Sequence, residues 1–177
     1  MFLWHVGAST FLFRWIFRDP AVDLRFLAVG AVLPNLVDLP LALALGFPDG
    51  AHRLWAHALV VPISLMFVLL VVTRRGPTRK RWMALTVGVF FHLLLDQMWA
   101  LPETLLWPFL GTGFSDMGVA SFGDLVDSAV DVWAIVGEVV GLAYLAFVWG
   151  WAPPEDRAAF TATGVLRLGA PRDPAAG

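Results

Sequence analysis

The chain contains no cysteine and few charged residues. Without cysteine it has neither a disulfide nor a thiolate ligand, so any bound metal must be held by histidine and carboxylate groups. Charged residues make up 15% of the sequence, whereas soluble domains average about 25%. The net charge is −2, and no basic patch is large enough to indicate nucleic-acid binding.

Apolar residues dominate instead. They make up 59% of the chain, and the mean hydropathy is +0.74. Long apolar runs predict an all-α, polytopic membrane protein with about five membrane helices. Residues 1–152 are expected to form one helical membrane domain, and residues 153–177 a disordered cytoplasmic tail. The first residues lack the features of a cleaved signal peptide, so we expect them to be retained.

Five segments are predicted to meet the membrane, namely residues 2–17, 26–47, 57–73, 82–101 and 122–151. The first is short and carries Arg14, so it is either a short span or an interfacial helix. Pro34 is expected to kink the second, because proline removes a backbone donor inside a helix.

The basic residues predict the orientation. Lys and Arg collect on the cytoplasmic side of short loops. Five lie in the 74–81 loop, three in the first connection and three in the tail, which leaves Arg53 alone on the other side. This distribution predicts an N-terminus outside and a C-terminus inside, in a bacterial or archaeal cytoplasmic membrane.

Several polar residues are predicted to lie at one depth. With a rise of about 1.5 Å per residue, His92 lies about 16 Å and Asp96 about 22 Å from Arg81. The hydrocarbon core is about 30 Å thick, so both fall in its outer half. The same reasoning brings other residues to this level, on the extracytoplasmic side: His5, Asn35, Asp38 and His57.

Two pairs have helical spacing. His92 and Asp96 are four residues apart and share a helix face, which suits one divalent cation; the alternative is a hydrogen bond that joins helices. Asn35 and Asp38 are three apart, just after Pro34. They either satisfy carbonyl groups that the proline frees or join the site. A carboxylate at membrane depth is costly unless it is paired.

Other charged residues allow two interpretations. Arg53 suits an anionic substrate group, because its planar guanidinium pairs well with phosphate; the alternative is a contact with lipid phosphate. Glu138 lies deeper in the last span and is expected to orient a ligand histidine or to act as an additional ligand. Asp124, Asp127 and Asp131 are expected to form the solvated start of that helix.

Five short motifs follow one another along the chain: His5-Val6-Gly7, the run Leu33-Pro34-Asn35-Leu36-Val37-Asp38, His52-Arg53 with His57, His92 with Asp96, and Leu106-Trp107-Pro108. Together they resemble the membrane-bound metal-dependent hydrolase family, also described as LexA-binding, inner-membrane-associated hydrolases. The similarity covers about residues 3–111. Each motif is short, but their order, spacing and membrane setting are specific in combination.

This resemblance implies a His/Asp metal centre and hydrolytic activity, and family members are similar to zinc-dependent phospholipases C. One or two divalent ions are expected, with zinc favoured by imidazole and carboxylate donors. Arg53 and Asn35 are the expected catalytic residues, acting on a lipid or small-molecule phosphoester. Glu138 and Trp107 are expected to support the site. The expected metal ligands are His5, Asp38, His52, His57, His92 and Asp96.

The sequence departs from the family pattern at two places. Asn35 stands where the family has Asp, which removes a charged ligand. Ala56 and Ala58 stand where Thr and Ser often flank the histidine, which removes supporting hydroxyl groups. A non-catalytic alternative therefore remains open, in which the cluster binds a structural metal or joins helices. A small transporter is disfavoured, because no polar residue lines the inner half of the spans. The oligomeric state stays open.

Overall fold

The computed structural model describes residues 1–47, 53–114 and 131–167. Within these ranges the chain forms seven α-helices and no strand, so the predicted all-α class is confirmed. Two short 3-10 turns, Trp55–His57 and Met98–Ala100, interrupt the connections. The helices are α1 (Leu3–Phe17), α2 (Leu24–Leu45), α3 (Val60–Val72), α4 (Pro77–Leu95), α5 (Pro102–Leu105), α6 (Val132–Trp151) and α7 (Pro154–Thr163).

The predicted segments correspond to α1, α2, α3, α4 and α6, with shifts at their ends. α2 continues through both Pro34 and Pro40. It ends at Gly46, whose φ of 66° lies in the left-handed region that favours glycine. Residues 122–130 of the predicted last span lie outside the described residues, and the described part of that helix begins at Val132.

Two boundaries differ from the sequence-based expectation. His57 lies in the turn before α3, because Ala58 is extended and separates it from the helix. α4 begins at Pro77, so part of the basic loop forms the first turn of a helix. Proline suits that position, since its φ is already helical and its missing N–H is not needed there.

Close helix contacts depend on glycine. A Cβ atom at Gly30 of α2 would overlap the backbone of α4, and one at Gly88 of α4 would overlap the backbone of α2. Gly7 of α1 and Gly141 of α6 form a matching pair. Small residues let helices in a membrane approach closely and gain packing energy. The α2–α4 pair, which has the most extensive packing, brings the Asp38 and His92 elements together.

Two helices of the described ranges are long and apolar enough to cross a membrane, α2 and α6. The apolar helix α3 has 13 residues, about 20 Å of rise, which is short against a hydrocarbon core of about 30 Å. Five crossings and the inside–outside orientation therefore stay predictions.

The tail differs from the disordered segment that its composition predicts. Residues 154–163 form α7, and the segment after it packs against the start of α2. Leu24 donates its backbone N–H to the Gly164 carbonyl at 2.8 Å, and Arg14 donates to the Leu166 carbonyl at 2.6 Å. Buried Leu166 joins the hydrophobic core, and this apolar contact offsets the entropy of ordering the segment. Residues 168–177 lie outside the described residues.

Ion pairs tie the basic end of the helices together. Lys80 on α4 contacts Asp19 at 2.6 Å, and Arg25 contacts Asp23 at 2.8 Å. Burial opposes ionisation of both carboxyl groups. The hydrogen bond and charge from Lys80 nevertheless hold the pKa of Asp19 below its usual value, and Arg25 and Arg81 do the same for the pKa of Asp23.

Candidate functional site

Three histidines and one aspartate from three elements meet in the interior. His5 comes from α1, His57 from the turn before α3, and His92 from α4, with Asp96 at the end of α4. The histidines are 0–1% exposed, and the side chain of Asp96 is 6% exposed. The structure thus brings together residues that are up to 91 positions apart in the sequence.

Asp96 lies at the centre of this cluster. One carboxylate oxygen, Oδ1, lies 2.8 Å from Nε2 of His5. The other oxygen, Oδ2, accepts a hydrogen bond from Nε of Arg53 at 3.0 Å. It also lies 3.7 Å from Nε2 of His57 and 3.8 Å from Nε2 of His92. The i, i+4 spacing of His92 and Asp96 therefore places both side chains in the same pocket, as the sequence predicts.

Asp38 lies behind His57 and is itself fully buried. Its Oδ2 accepts hydrogen bonds from the backbone N–H of Leu54 at 2.7 Å and of His57 at 3.2 Å, and from Nδ1 of His57 at 2.7 Å. Its Oδ1 accepts from the backbone N–H of Ala56 at 3.0 Å. The carboxylate is thus surrounded by four donors, which repays the cost of burying it. It fixes both the turn and the ring of His57.

All three imidazoles direct Nδ1 at an oxygen. His92 donates from Nδ1 to the carbonyl of Ala31 at 2.7 Å, and His5 donates from Nδ1 to the carbonyl of Met1. A backbone carbonyl only accepts, so each of these nitrogens carries the proton. Nδ1 of His57 faces the carboxylate described above. This pattern is typical of metal-binding histidines, which donate their other ring N–H to a carbonyl or carboxylate.

The second ring nitrogens consequently face one another. In the neutral ring that carries its proton on Nδ1, Nε2 is a bare acceptor. Nε2 of His57 and Nε2 of His92 are 3.1 Å apart, and Nε2 of His5 faces the Asp96 carboxylate. The rings of His5 and His92 stack at 4.4 Å between centroids. Four acceptor groups at these distances repel one another unless a proton or a cation lies between them.

The ligand atoms are close enough for one ion to bridge several of them. One atom from each of His5, His92 and Asp96 lies within 4.8 Å of the others. The set of imidazole nitrogens and carboxylate oxygens has the donor chemistry that zinc takes in proteins. Zinc in proteins is usually four-coordinate. The cluster offers several nitrogen and oxygen ligands for it and is therefore a candidate metal centre.

Other predicted site residues lie around the cluster or apart from it. Arg53 is partly exposed and links Asp96 to the surface. Asn35 is half-buried, and its side chain makes no hydrogen bond within the described residues. Trp107 is half-buried, and its indole N–H is buried without a hydrogen-bond partner in the same part of the chain. His52 lies outside the described residues.

Glu138 on α6 caps the start of α1. Its carboxylate accepts hydrogen bonds from the backbone N–H of Phe2 and, at 2.7 Å, of Leu3. These donors lie one turn before His5 and have no partner inside the helix. Glu138 therefore acts on the cluster only indirectly, by capping the helix that carries His5. Asp131 caps α6 through the Trp133 N–H at 3.0 Å, while Asp124 and Asp127 lie outside the described residues.

Sequence reasoning missed the carbonyl groups of Met1 and Ala31. Each fixes one imidazole ring, but a backbone carbonyl carries no signal in the residue type. Helical spacing gives one signal for these contacts, since Met1 lies four residues before His5. Ala31 belongs to another helix and becomes visible only when α2 packs on α4.

Within the described residues, the fold and the cluster together define an all-helical arrangement with two apolar helices of membrane-spanning length and a buried His/Asp pocket. A family model, described as YdjM inner membrane protein, matches residues 2–166. The chain belongs to this family of membrane proteins. No curated protein and no solved structure is significantly similar to it. The predicted membrane association is thus confirmed, while hydrolytic activity stays a prediction.

Proposed function

We propose that this protein is an integral-membrane, metal-dependent hydrolase that acts on a lipid-borne or membrane-adjacent phosphoester. One observation carries the proposal. In each of the three buried histidines, Nδ1 hydrogen-bonds to an oxygen acceptor and Nε2 faces the shared carboxylate of Asp96. Arg53 donates to Asp96, but bare Nε2 acceptors are still costly to bury inside a membrane protein unless a proton or a cation completes the pocket.

The distances fit such a cation. Two imidazole nitrogens bound to one zinc ion at about 2.0–2.1 Å, with a tetrahedral angle, are separated by about 3.3 Å. The observed separation between Nε2 of His57 and Nε2 of His92 is 3.1 Å. The competing explanation is a shared proton on an imidazolium. The carboxylates of Asp38 and Asp96 on either side of His57 would stabilise such a charge against desolvation, so metal analysis of the purified protein has to separate the two explanations.

The proposed ligands are His5, His57, His92 and Asp96, and His52 is a candidate for a second ion. Asp38 is proposed to position His57, because all of its contacts above are to donors of the 54–57 turn. A carboxylate behind a ligand histidine fixes its tautomer and strengthens it as a donor. This assignment refines the ligand role that the sequence predicts for Asp38.

Residues around the proposed ion have different roles. When bound, a divalent ion supplies Lewis acidity that activates water and polarises a phosphoryl oxygen. Arg53 reaches from Asp96 towards the surface, at 27% side-chain exposure, and its guanidinium suits the anionic group of the substrate. Asn35 is proposed to contact the substrate through its amide, since it is half-buried three residues before Asp38.

An apolar cavity at the same end of α4 as the cluster supports a lipid substrate. It has a volume of about 210 Å³ and is lined by Leu59, Phe90, Leu93, Leu94, Met98, Trp99 and Leu105. Leu93 follows His92 directly, and Met98 is two residues beyond Asp96. Phe90, Leu93 and Leu94 lie on a different face of α4 from His92 and Asp96, so an acyl chain in this cavity would lie outside the polar pocket, and burying it contributes about 0.8 kcal/mol per CH₂ group.

We further propose five membrane crossings, with the cluster towards the extracytoplasmic side. The support is the distribution of basic residues: those of the 74–81 loop lie at the opposite end of α4 from Asp96, while Arg53 lies beside Asp96. Single cysteines at Gly76 and Thr112 provide the test, because the chain contains no other cysteine. An impermeant thiol reagent should label only Thr112→Cys in intact cells. Labelling of both from one side would contradict this topology.

A non-catalytic role is the second candidate, and the burial of the cluster favours it. His57 and His92 are 0% exposed, so a structural metal or a helix-joining hydrogen-bond network would fit the same geometry. In that case Arg53 contributes an ion pair with Asp96 and no substrate contact. Activity measurements separate the two candidates.

The test is phosphoester turnover by purified protein in lipid nanodiscs. Phospholipids and a soluble aryl phosphodiester are offered after chelation and after return of zinc or another divalent ion. We expect turnover that depends on the metal and falls below about one hundredth in Asp96→Ala, because loss of an outer partner alone costs 10–100-fold. Glu155→Ala, an exposed carboxylate change on α7, is the matched control. Turnover that survives Asp96→Ala, or that never appears with any metal, would contradict the enzyme.

A further inference from the structure

A second cavity lies at the other end of α1, away from the histidine cluster. It has a volume of about 360 Å³ and lies between the end of α1, the following turn and α6. Its lining combines aromatic and charged side chains, chiefly Phe11, Trp15, Tyr144, Arg14, Arg18 and Asp19. Arg14 is nine residues beyond His5, about 14 Å along the helix axis. The two sites are therefore separate.

The cavity carries positive charge. Arg14 and Arg18 both line it, and the acidic residue in the lining is already neutralised, because Asp19 contacts Lys80 at 2.6 Å. An anion in the cavity would thus meet two guanidinium groups without opposition from a free carboxylate. Guanidinium groups bind phosphate well, since their N–H donors match its oxygens.

Two donors of residues that line the cavity have no hydrogen-bond partner among residues 1–47, 53–114 and 131–167. The Nε–H of Arg14 is buried and has no hydrogen-bond partner within the described residues. The other end of this guanidinium is held in place, because one N–H₂ group donates to the carbonyl of Leu166 at 2.6 Å. The Tyr144 hydroxyl also makes no hydrogen bond in that part of the chain. The Tyr144 hydroxyl can donate to an anion in the cavity, whereas the buried Nε–H of Arg14 would need a small side-chain movement to recover the cost of its missing partner.

The aromatic residues indicate that the anion arrives on a lipid. Phe11 is 50% exposed and Trp15 is 66% exposed, so both present apolar surface at the rim of a charged cavity. Aromatic side chains favour the membrane interface, where one end is apolar and the other is hydrated. Basic pockets between helices at this level bind anionic headgroups. We propose that this cavity binds the phosphate of an anionic phospholipid, independently of any hydrolytic activity.

Native mass spectrometry of the detergent-solubilised full chain provides the test. Phosphatidylglycerol, phosphatidylcholine and inorganic phosphate are titrated separately. We expect retained phosphatidylglycerol adducts, few phosphatidylcholine adducts and no competition by inorganic phosphate. The double variant Arg14→Gln/Arg18→Gln should bind phosphatidylglycerol about tenfold or more weakly, because each basic residue near an anionic headgroup contributes about 1 kcal/mol.

The control is Arg74→Gln/Arg75→Gln, which removes the same charge from exposed positions outside the cavity. It should bind within about twofold of the unchanged protein. Equal losses in the two double variants would overturn the proposal, as would binding of inorganic phosphate without phosphatidylglycerol. If loss of the Arg14 contact to Leu166 unfolds the chain, Arg18→Gln alone should still weaken binding by about fivefold, and unchanged binding in that variant would refute the site.

Discussion

The substitution Asp38→Asn tests how the cluster is held. The carboxylate of Asp38 is 0% exposed and accepts four hydrogen bonds, three of them from backbone N–H groups. Asparagine keeps one acceptor oxygen but turns an NH₂ group towards the remaining donors. Hydrogen bonds to a charged group contribute about 1.5–3 kcal/mol each, so we expect a loss of about 3 kcal/mol or more in the free energy of unfolding.

The same change should weaken metal binding without removing a ligand. An outer partner of a ligand histidine contributes about 10–100-fold in affinity. We therefore expect Asp38→Asn to bind zinc with an affinity lower by that factor and to reach the same stoichiometry at saturation. Competition with a chromophoric chelator measures the affinity, elemental analysis measures the stoichiometry, and thermal unfolding in detergent measures the stability.

Asn35→Ala is the matched control, because it lies on the same helix three residues earlier and makes no hydrogen bond within the described residues. It should cost less than about 1 kcal/mol. A drop in the saturating stoichiometry of Asp38→Asn would make Asp38 a ligand, against the positioning role. Unchanged affinity and stability would show that Asp38 does not hold the 54–57 turn.

Two further predictions concern packing and pH. Gly30→Ala should destabilise the protein by about 1–3 kcal/mol or more, because its Cβ would overlap the backbone of Leu85. In the control Gly150→Ala the new Cβ meets open space, so the melting temperature should stay within a few degrees. Equal effects of the two substitutions would contradict the close contact at Gly30. The Asp19–Lys80 pair should contribute at most about 1 kcal/mol to the free energy of unfolding. This contribution is present above about pH 4, where the carboxyl group is ionised in the unfolded chain. It is lost as the pH falls through the lower pKa that Asp19 has in the folded protein. The unfolding free energy of Lys80→Gln should lack this acidic dependence, and an unchanged profile would count against the pair.

Much of the helical framework could be predicted from the sequence. The apolar runs indicate α2, α3 and α6, and the i, i+4 spacing of His92 and Asp96 predicts their shared face. Helical rise predicts that His5 and His92 lie at one depth. The structure has their rings stacked, while their roles as ligands stay predictions.

The remaining features depend on tertiary contacts. The Asp38 side chain points at the 54–57 turn because backbone N–H groups of that turn donate to its carboxylate. Backbone donors are the same for nearly every residue type, so the sequence does not reveal them. Helix α7 has a composition typical of disorder, and it is ordered by contacts of the following residues with Leu24 and Arg14. The cavity around Arg14 likewise exists only where α1 meets α6.

Three imidazoles and Asp96 are proposed to hold a divalent ion together. X-ray absorption at the zinc edge, on purified zinc-loaded protein with its zinc content measured, tests it most directly. We expect at least one zinc per chain, with imidazole nitrogens and a carboxylate oxygen at about 2.0–2.1 Å, and loss of that signal in His92→Ala. Substoichiometric zinc, a shell without imidazole, or an unchanged spectrum in His92→Ala would contradict it.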